Sequence, residues 1–366
     1  MKKILFVTAF PPNRLTAGQN YTRQLLNDLS QMYDIDLIYF KYNEHPLELN
    51  NNIHVLLAVS NSIWTKAANI LKLLFIHPFF TARFNLSIVR LLKRKSKDYD
   101  IVYFDFSQIF VYSLFVNHPH KIMMCHDIIT QKYLRYKNSG LNISFSFVKT
   151  SEKALLKHAN EIFCFSQKDA ELAKAFFNLK IEPVSFYIDK SLSELSYDDI
   201  EFNNSYVLYA AWNRKENEEG LKWFIENILP FIDNTNILIM GPSLSEVILK
   251  KISLYRNVKH MGFVDNPYSV LMQSKALLAP IFNGAGVKVK VIESLATGTP
   301  VIGTNIAFEG IENINLNNWK ALNLFNTAKE LIQLLNNFPS LEKKERIKLK
   351  SIFNMTYTSE KLINKL

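Results

Sequence analysis

Two cysteines in 366 residues leave no material for a disulfide framework, and neither stands at a metal-ligand spacing. Cys125 and Cys164 each sit inside an apolar run, KIMMCHD and EIFCFS, where a reduced core thiol in a cytosolic protein is the expectation. Glycine is scarce, at 10 residues. No apolar stretch reaches the ~18 uninterrupted residues that a membrane-spanning helix needs. The opening MKK leads straight into ILFVTAF, which reads as a buried first strand and not as a signal peptide. What is present in quantity is hydrophobic side chain, 48% of the chain, enough to fill large interiors. A chain of this length suits two domains rather than one core.

The net charge of +10 is unevenly spread. Residues 1–190 hold 24 Lys and Arg against 15 Asp and Glu, whereas residues 191–366 hold 19 against 18. An anionic partner should therefore approach the first half. No basic-aromatic module of a nucleic-acid reader is present, so a phosphate-bearing small molecule or an anionic membrane is expected instead.

Along the first half, apolar runs alternate with helical patterns: ILFVTAF (4–10), IDLIYF (35–40), IHVLLAV (53–59), IVYFDF (101–106), KIMMCHD (121–127) and EIFCFS (161–166). Strands that are apolar on both faces belong to parallel sheets covered by helices. The alternation breaks into a polar stretch over 186–203. It then restarts with YVLYAAW (206–212), ILIMG (237–241), VKHMGFV (258–264), ALLAPI (276–281) and PVIGTN (300–305). The expected fold is α/β, with two Rossmann-like doubly wound domains facing each other across a cleft. The first covers 1–185, the second 204–350, with 186–203 as linker and 351–366 as a C-terminal helix able to cross back to the first domain.

The segment FNGAGVKVKVIESLATGTPVIGT (282–304) decides the chemistry. Its VKVKV alternates like a strand, but strands flank it on both sides and parallel neighbours need a crossover. Val287, Val291, Ile292, Leu295 and Ala296 share one helical face, and Gly298 and Pro300 close the helix. NGAG then feeds a helix N-terminus from the carboxyl end of a strand, which is a ready anion site. Lys288 falls in the first turn, unfavourable for a cation unless it shares an anion with the backbone N–H groups. Glu293 can pair with Lys290 at i+3 as a surface ion pair of little worth, or can face a ligand; the spacing leaves both open.

Taken together, GAGxKxKxxESxAxGxPVIxT followed by EGI (309–311) resembles the donor-binding signature of the group 1, family four, retaining glycosyltransferases of the GT-B fold. NRKENEEGLKWF (213–224), LIMGP (238–242) and HMGFVDNPYSVLMQSKALLAP (260–280) extend the resemblance over 206–311, and FPPNRLTAGQN and CHDIITQKYLR are weaker landmarks of it. The resemblance implies transfer of a sugar from a nucleotide-sugar to a glycan or lipid-linked acceptor, as in lipopolysaccharide, capsule or O-antigen assembly, without a metal or other cofactor. It implies that Glu293 holds the ribose and that Arg214 or Lys215 joins Lys288 on the diphosphate. Gly284, Gly286 and Val287 would approach the phosphates, and the backbone of Gly262, Phe263 and Val264 would select the base. In the first half, Gly18 would let the backbone approach the donor, and His126 would act near the reacting carbon, with Asp127 orienting its imidazole or shaping the loop.

Two departures stand out. Many relatives carry a first glutamate eight positions before the second, where this chain has Ala285, and a glycine pair where it has Gly18-Gln19. They leave room for two alternatives, a non-catalytic partner subunit of another glycosyltransferase and a sugar-nucleotide epimerase. The Asp34/Asp36 and Asp98/Asp100 pairs precede strands, at the end opposite to ligands, and are expected to be solvated strand starts and not metal ligands. Residues 63–97 mix Trp, Phe and Leu with Lys and Arg. They read either as a pair of core-facing helices or as a peripheral contact with an anionic membrane, at the cytoplasmic face of the cell membrane.

Overall fold

A computed structural model describes residues 1–42, 46–138, 144–311 and 321–366. The chain divides into two compact units, Met1–Tyr187 with Ser359–Leu366, and Ile188–Thr358. The last residues join the first unit through the ion pair of Lys365 with Glu182 and the hydrogen bond from Lys361 Nζ to Ser185 Oγ. The stretch expected as a linker is packed in its own right. Tyr187, Ile188, Leu192 and Tyr197 are buried, and the Tyr197 hydroxyl donates to the Thr297 carbonyl.

The first unit is built on a parallel sheet of β1 (Lys2–Thr8), β2 (Tyr33–Phe40), β3 (Ile53–Val59), β4 (Ile101–Asp105), β5 (Lys121–Cys125), β6 (Glu161–Cys164) and β7 (Glu182–Pro183). The strand order is β3-β2-β1-β4-β5-β6-β7. Ile4 to Val7, Val102 to Phe104 and Ile122 to Met124 are fully enclosed, the pattern of strands covered on both faces. Cys125 and Cys164 are buried thiols and register partners on β5 and β6.

The second unit repeats the plan with β8 (Tyr206–Tyr209), β9 (Ile237–Met240), β10 (Val258–Gly262), β11 (Ala276–Ala279), β12 (Val301–Gly303) and β13 (Leu322–Leu324). The order is β10-β9-β8-β11-β12-β13, again parallel throughout. In both sheets the chain starts in the middle, winds one way and then returns to wind the other. The order reverses between β1 and β4 in the first unit and between β8 and β11 in the second. Loops beyond the carboxyl ends of those strands form the crevice where open α/β sheets bind ligands.

Helix Lys215–Asn227 follows β8 and lies hard against the strand-end loop of β11. A Cβ on Gly220 would stand 2.0 Å from the Pro280 carbonyl oxygen, so only glycine permits this approach. Gly220→Ala must push the helix off the loop and should cost about 3 kcal/mol, read as a lower midpoint in urea unfolding. A midpoint equal to the parent's would show that the helix can shift without penalty.

Candidate functional site

In the second unit, VKVKV is helical from Val289, and helix Val289–Ala296 buries Val291, Ile292, Leu295 and Ala296 against the sheet. Lys288 is its N-cap residue and not part of its first turn, as the sequence suggests. Three β-branched residues near the start shorten the helix, and the crossover constraint only fixes where it must exist. Before it, Gly284 and Gly286 take φ values of 123° and 65°, conformations that L side chains rarely adopt. They fold the loop so tightly that the Lys288 side chain turns back over it. Its Nζ donates to the Ala285 and Gly286 carbonyls at 3.2 and 2.6 Å and lies 3.7 Å from Glu309 Oε2. The EGI segment is thus seated on the glycine loop, and Gly310 (φ 85°) leaves space for Val287, which a Cβ would meet at 2.6 Å.

Lys290 and Glu293 do not pair with each other. Lys290 Nζ donates to Asn217 Oδ1 at 3.0 Å, and Asn217 in turn donates to the Ala211 carbonyl at 3.0 Å, just past β8. The Lys290 ammonium therefore stands at the reversal point of the sheet, between the loops after β8 and β11. Burial pulls its pKa down to about 7; Glu216 opposes this, while the positive charges of Lys288 and Arg214 reinforce it. Three cations thus converge on one place, and the field they make favours an anion. Beneath Lys290 is a cavity of about 10 Å³ shared with Tyr209, Trp212 and Asn217. It has room for one water at most, so any nucleotide must lie on the loop side.

Glu293 is buried and accepts a hydrogen bond from the Tyr268 hydroxyl at 3.0 Å. Burial raises its pKa to about 7, against the pull of that hydrogen bond, and the Asp189 charge adds to the rise. Burial and the Glu293 charge push the Tyr268 phenol far up, so it stays a donor. Tyr268→Phe removes the donor without changing the shape. It should weaken nucleotide binding about fivefold to tenfold, measured by calorimetric titration, and leave the far-UV spectrum unchanged.

Of the other second-unit candidates, Arg214 is exposed at the N-cap of helix Lys215–Asn227. Lys215 makes an exposed i,i+4 ion pair with Glu219 at 3.7 Å, and Glu219 also accepts from Asn283 Nδ2 at 3.1 Å. Gly262 ends β10 and Phe263 and Val264 follow it, two strands from the reversal point, with Phe263 69% exposed.

The first unit gathers a separate cluster at its own reversal point. Asp105, the last residue of β4 and fully buried, accepts from Thr8 Oγ1 (3.1 Å) and Thr22 Oγ1 (2.6 Å) and contacts His126 Nε2 at 2.7 Å. Asp105 therefore orients the imidazole. The His126 ring is stacked on Phe106 at 3.6 Å, with Tyr21 and Phe165 edge-on at 5.4 and 4.9 Å. Phe106 has φ 72°, a costly conformation for an aromatic residue, held where it braces the histidine. Gly18 lies in the first turn of helix Ala17–Leu29 and not in a loop. A Cβ there would meet the Phe106 ring at 3.1 Å and approach His126 Nδ1 to 3.8 Å. Gln19, which stands where relatives have a second glycine, ties helix to loop through Nε2 to the Pro11 carbonyl at 3.0 Å.

The Asp-x-Asp pairs have structural partners. The Tyr99 hydroxyl donates to Asp36, and the Lys3 amide donates to Asp100 at 2.7 Å. Among the described residues no group of three or more His, Cys, Asp or Glu is gathered to hold a metal.

Residues 204–337 match the family model described as "Glycosyl transferases group 1", a span that holds Arg214, Asn217, Tyr268, Lys288, Lys290 and Glu293 together. Over that span the chain is similar to the group 1 glycosyltransferases. Its fold is that of GT-B glycosyltransferases. The Anabaena protein HepE, solved in complex with UDP, is similar with a TM-score of 0.70 at 13% identity, covering 100% of this chain and 98% of that one. Sucrose-phosphate synthase from Thermosynechococcus elongatus gives 0.68 at 14%, covering 100% and 97%. WaaG, a glycosyltransferase involved in lipopolysaccharide biosynthesis, gives 0.64 at 11%, covering 99% and 96%. No curated protein matches the chain.

Sequence reasoning placed the glycine loop, Arg214, Lys288 and Glu293 in one neighbourhood; in the structure Arg214 and Lys288 both bear on Lys290, and Glu293 lies on the helix that the glycine loop enters. It missed Lys290 as a site cation, Asn217 and Tyr268 as its neighbours' partners, and Asp105 as the anchor of His126. Only Asp105 carried a readable signal, as the polar last residue of an otherwise apolar central strand.

Proposed function

We propose that this protein is a glycosyltransferase that moves a sugar, with retention of anomeric configuration, from a nucleotide-sugar to a glycan or lipid-linked acceptor during assembly of a bacterial surface polysaccharide. The observation that carries the reading is the convergence of Arg214, Lys288 and Lys290 on the glycine loop at the second reversal point, with buried Glu293 just beyond. Cleaving a sugar–phosphate bond leaves a nucleoside diphosphate of higher negative charge. Cations and backbone N–H groups already in place stabilise that charge as it forms, without reorganising. The N–H groups of the loop from Gly284 to Val287 supply the part that Ala285 cannot supply through a side chain. Glu293 accepts from the ribose hydroxyls, and Phe263 and its neighbours border the base. Neutralisation of the diphosphate is assigned to side chains, so turnover should survive EDTA.

UDP in HepE and lipopolysaccharide biosynthesis for WaaG support a uridine nucleotide and a surface glycan as first choices for substrate trials. In such trials, Glu293→Ala and Lys288→Ala should each lose most of the donor turnover while keeping the parent's unfolding transition. Unchanged turnover in both variants would remove the second-unit loop from the site.

A further inference from the structure

Helix Ile63–Lys72 is turned inside out. Its polar Asn69 is buried at 5% exposure, with Nδ2 donating to the Phe84 carbonyl at 2.5 Å. Ile63, Trp64, Ala67 and Leu71 fall within a sector of roughly 100° on the opposite face. Ile63 is 81%, Trp64 84% and Leu71 71% exposed. Leu74 and Phe75, in the turn that follows, are 63% and 96% exposed. An ordinary surface helix would have buried this stripe. Isolated exposed apolar residues need no explanation, but five large ones in one continuous segment mark an interaction surface.

The charge around the helix selects the partner. Between Glu48 and Asp98 the chain has no acidic residue and eight Lys and Arg. Asn61 ties the start of the inverted helix to the Ala82 and Phe84 carbonyls, and Asn85 Nδ2 donates back to Asn61 Oδ1. Asn85 caps helix Leu86–Lys95, whose exposed residues include Arg90, Lys93 and Arg94. Apolar side chains and a cationic helix are thus fixed to each other by side-chain hydrogen bonds. A protein partner would need an acidic surface around an apolar groove, whereas an anionic bilayer offers both features everywhere. Among the described residues no helix is long and apolar enough to cross a membrane, so the element would lie in the interface.

We propose that the outward face of Ile63–Phe75 inserts into the headgroup region of an anionic lipid bilayer, with the neighbouring basic helix paired to lipid phosphates. Insertion puts Trp64 at the polar–apolar boundary where indoles are favoured. It also orders a surface that in water exposes its least soluble side chains. The inference is independent of the transfer chemistry, since lipid binding needs neither donor nor acceptor.

The test is co-sedimentation of the full chain with vesicles of phosphatidylcholine, with and without phosphatidylglycerol, alongside tryptophan emission. The chain should sediment with the phosphatidylglycerol vesicles, with a blue shift that Trp64→Phe abolishes while binding persists. Leu71→Ser and Phe75→Ser should each lose about tenfold in affinity. Lys93→Gln and Arg94→Gln should lose about fivefold each, an effect that added salt mimics. These residues are exposed, so the unfolding transition of every variant should equal the parent's. Failure of the parent to sediment with anionic vesicles would overturn the proposal. So would a self-associated parent that Leu71→Ser renders monomeric without any vesicle binding, which would assign the face to a second copy of the chain. Nucleotide turnover in detergent that persists in the Leu71→Ser variant separates either failure from a failure of the transfer reading.

Discussion

Replacing Lys290 with methionine should lower kcat/KM for donor turnover about 10²–10³-fold, the scale of losing one preplaced charge at a developing anion. It should not unfold the protein. Burial holds the lysine near pKa 7, below the unfolded value of 10.5. The unfolded chain therefore binds more protons than the folded one between pH 7 and 10.5, and stability rises with pH across that window. Lys290 thus costs stability at neutral pH, and Lys290→Met should unfold at a higher temperature than the parent at pH 7. The cost makes sense for a cation whose partner is a ligand. Lys288 is held by two carbonyls and Glu309, but among the described residues Lys290 has only the neutral Asn217 oxygen at hydrogen-bond distance.

Glu293 has the opposite linkage. Its pKa is raised from 4.5 to about 7, so the stability it contributes is present below pH 4.5 and is lost as pH rises through 7. The two groups together predict a shallow stability minimum near neutrality for the unliganded protein. A diphosphate favours the charged lysine, and ribose hydroxyls favour the charged glutamate. Nucleotide binding should take up protons at pH 8, where Lys290 is mostly neutral, and release them at pH 6, where Glu293 is mostly protonated. Calorimetric titrations in buffers of different ionisation enthalpy read this sign directly.

Asp105→Asn should lower kcat about 10²-fold with little change in KM. Asp105 positions His126 by accepting at Nε2, while Phe106, Tyr21 and Phe165 fix the ring plane, which leaves Nδ1 as the edge nearest Gly18. Asparagine keeps the volume and one acceptor for the two threonines but can present an amide donor to the imidazole and reverse its tautomer. The pH–rate profile of the variant should move as well, which a purely structural defect would not cause. If Asp105 acts through His126, the double variant Asp105→Asn/His126→Ala should be no slower than His126→Ala alone. Additive losses would separate the two residues.

The strands were legible because buried parallel strands are nearly all apolar. IHVLLAV is β3 to the residue, and IVYFDF and KIMMCHD overrun β4 and β5 by only one or two residues. Glu182–Pro183 and Leu322–Leu324 were not legible, because strands of two or three residues at sheet edges carry no period. VKVKV was legible only through its neighbours, since its letters alternate while its place between two parallel strands demands a helix. Site residues divide along the same line. The glycine loop and Glu293 lie in one contiguous motif. Lys290 acquires its meaning from Asn217, 73 residues away, and Asp105 from Thr8, 97 residues away. Such pairings exist only after the sheet has formed, so a one-dimensional reading gave the more loop-like Lys288 the leading role. The inverted helix is a further case. Its composition left core packing and membrane contact open, and only burial shows which face points outward.

The most direct test of the account is calorimetric titration of the purified chain with UDP, GDP and ADP in the presence of EDTA. One of the three should bind, with affinity reduced at least tenfold in both Lys290→Met and Glu293→Ala. Absence of binding by all three, or binding that both variants leave unchanged, would contradict the placement of the donor at the second reversal point.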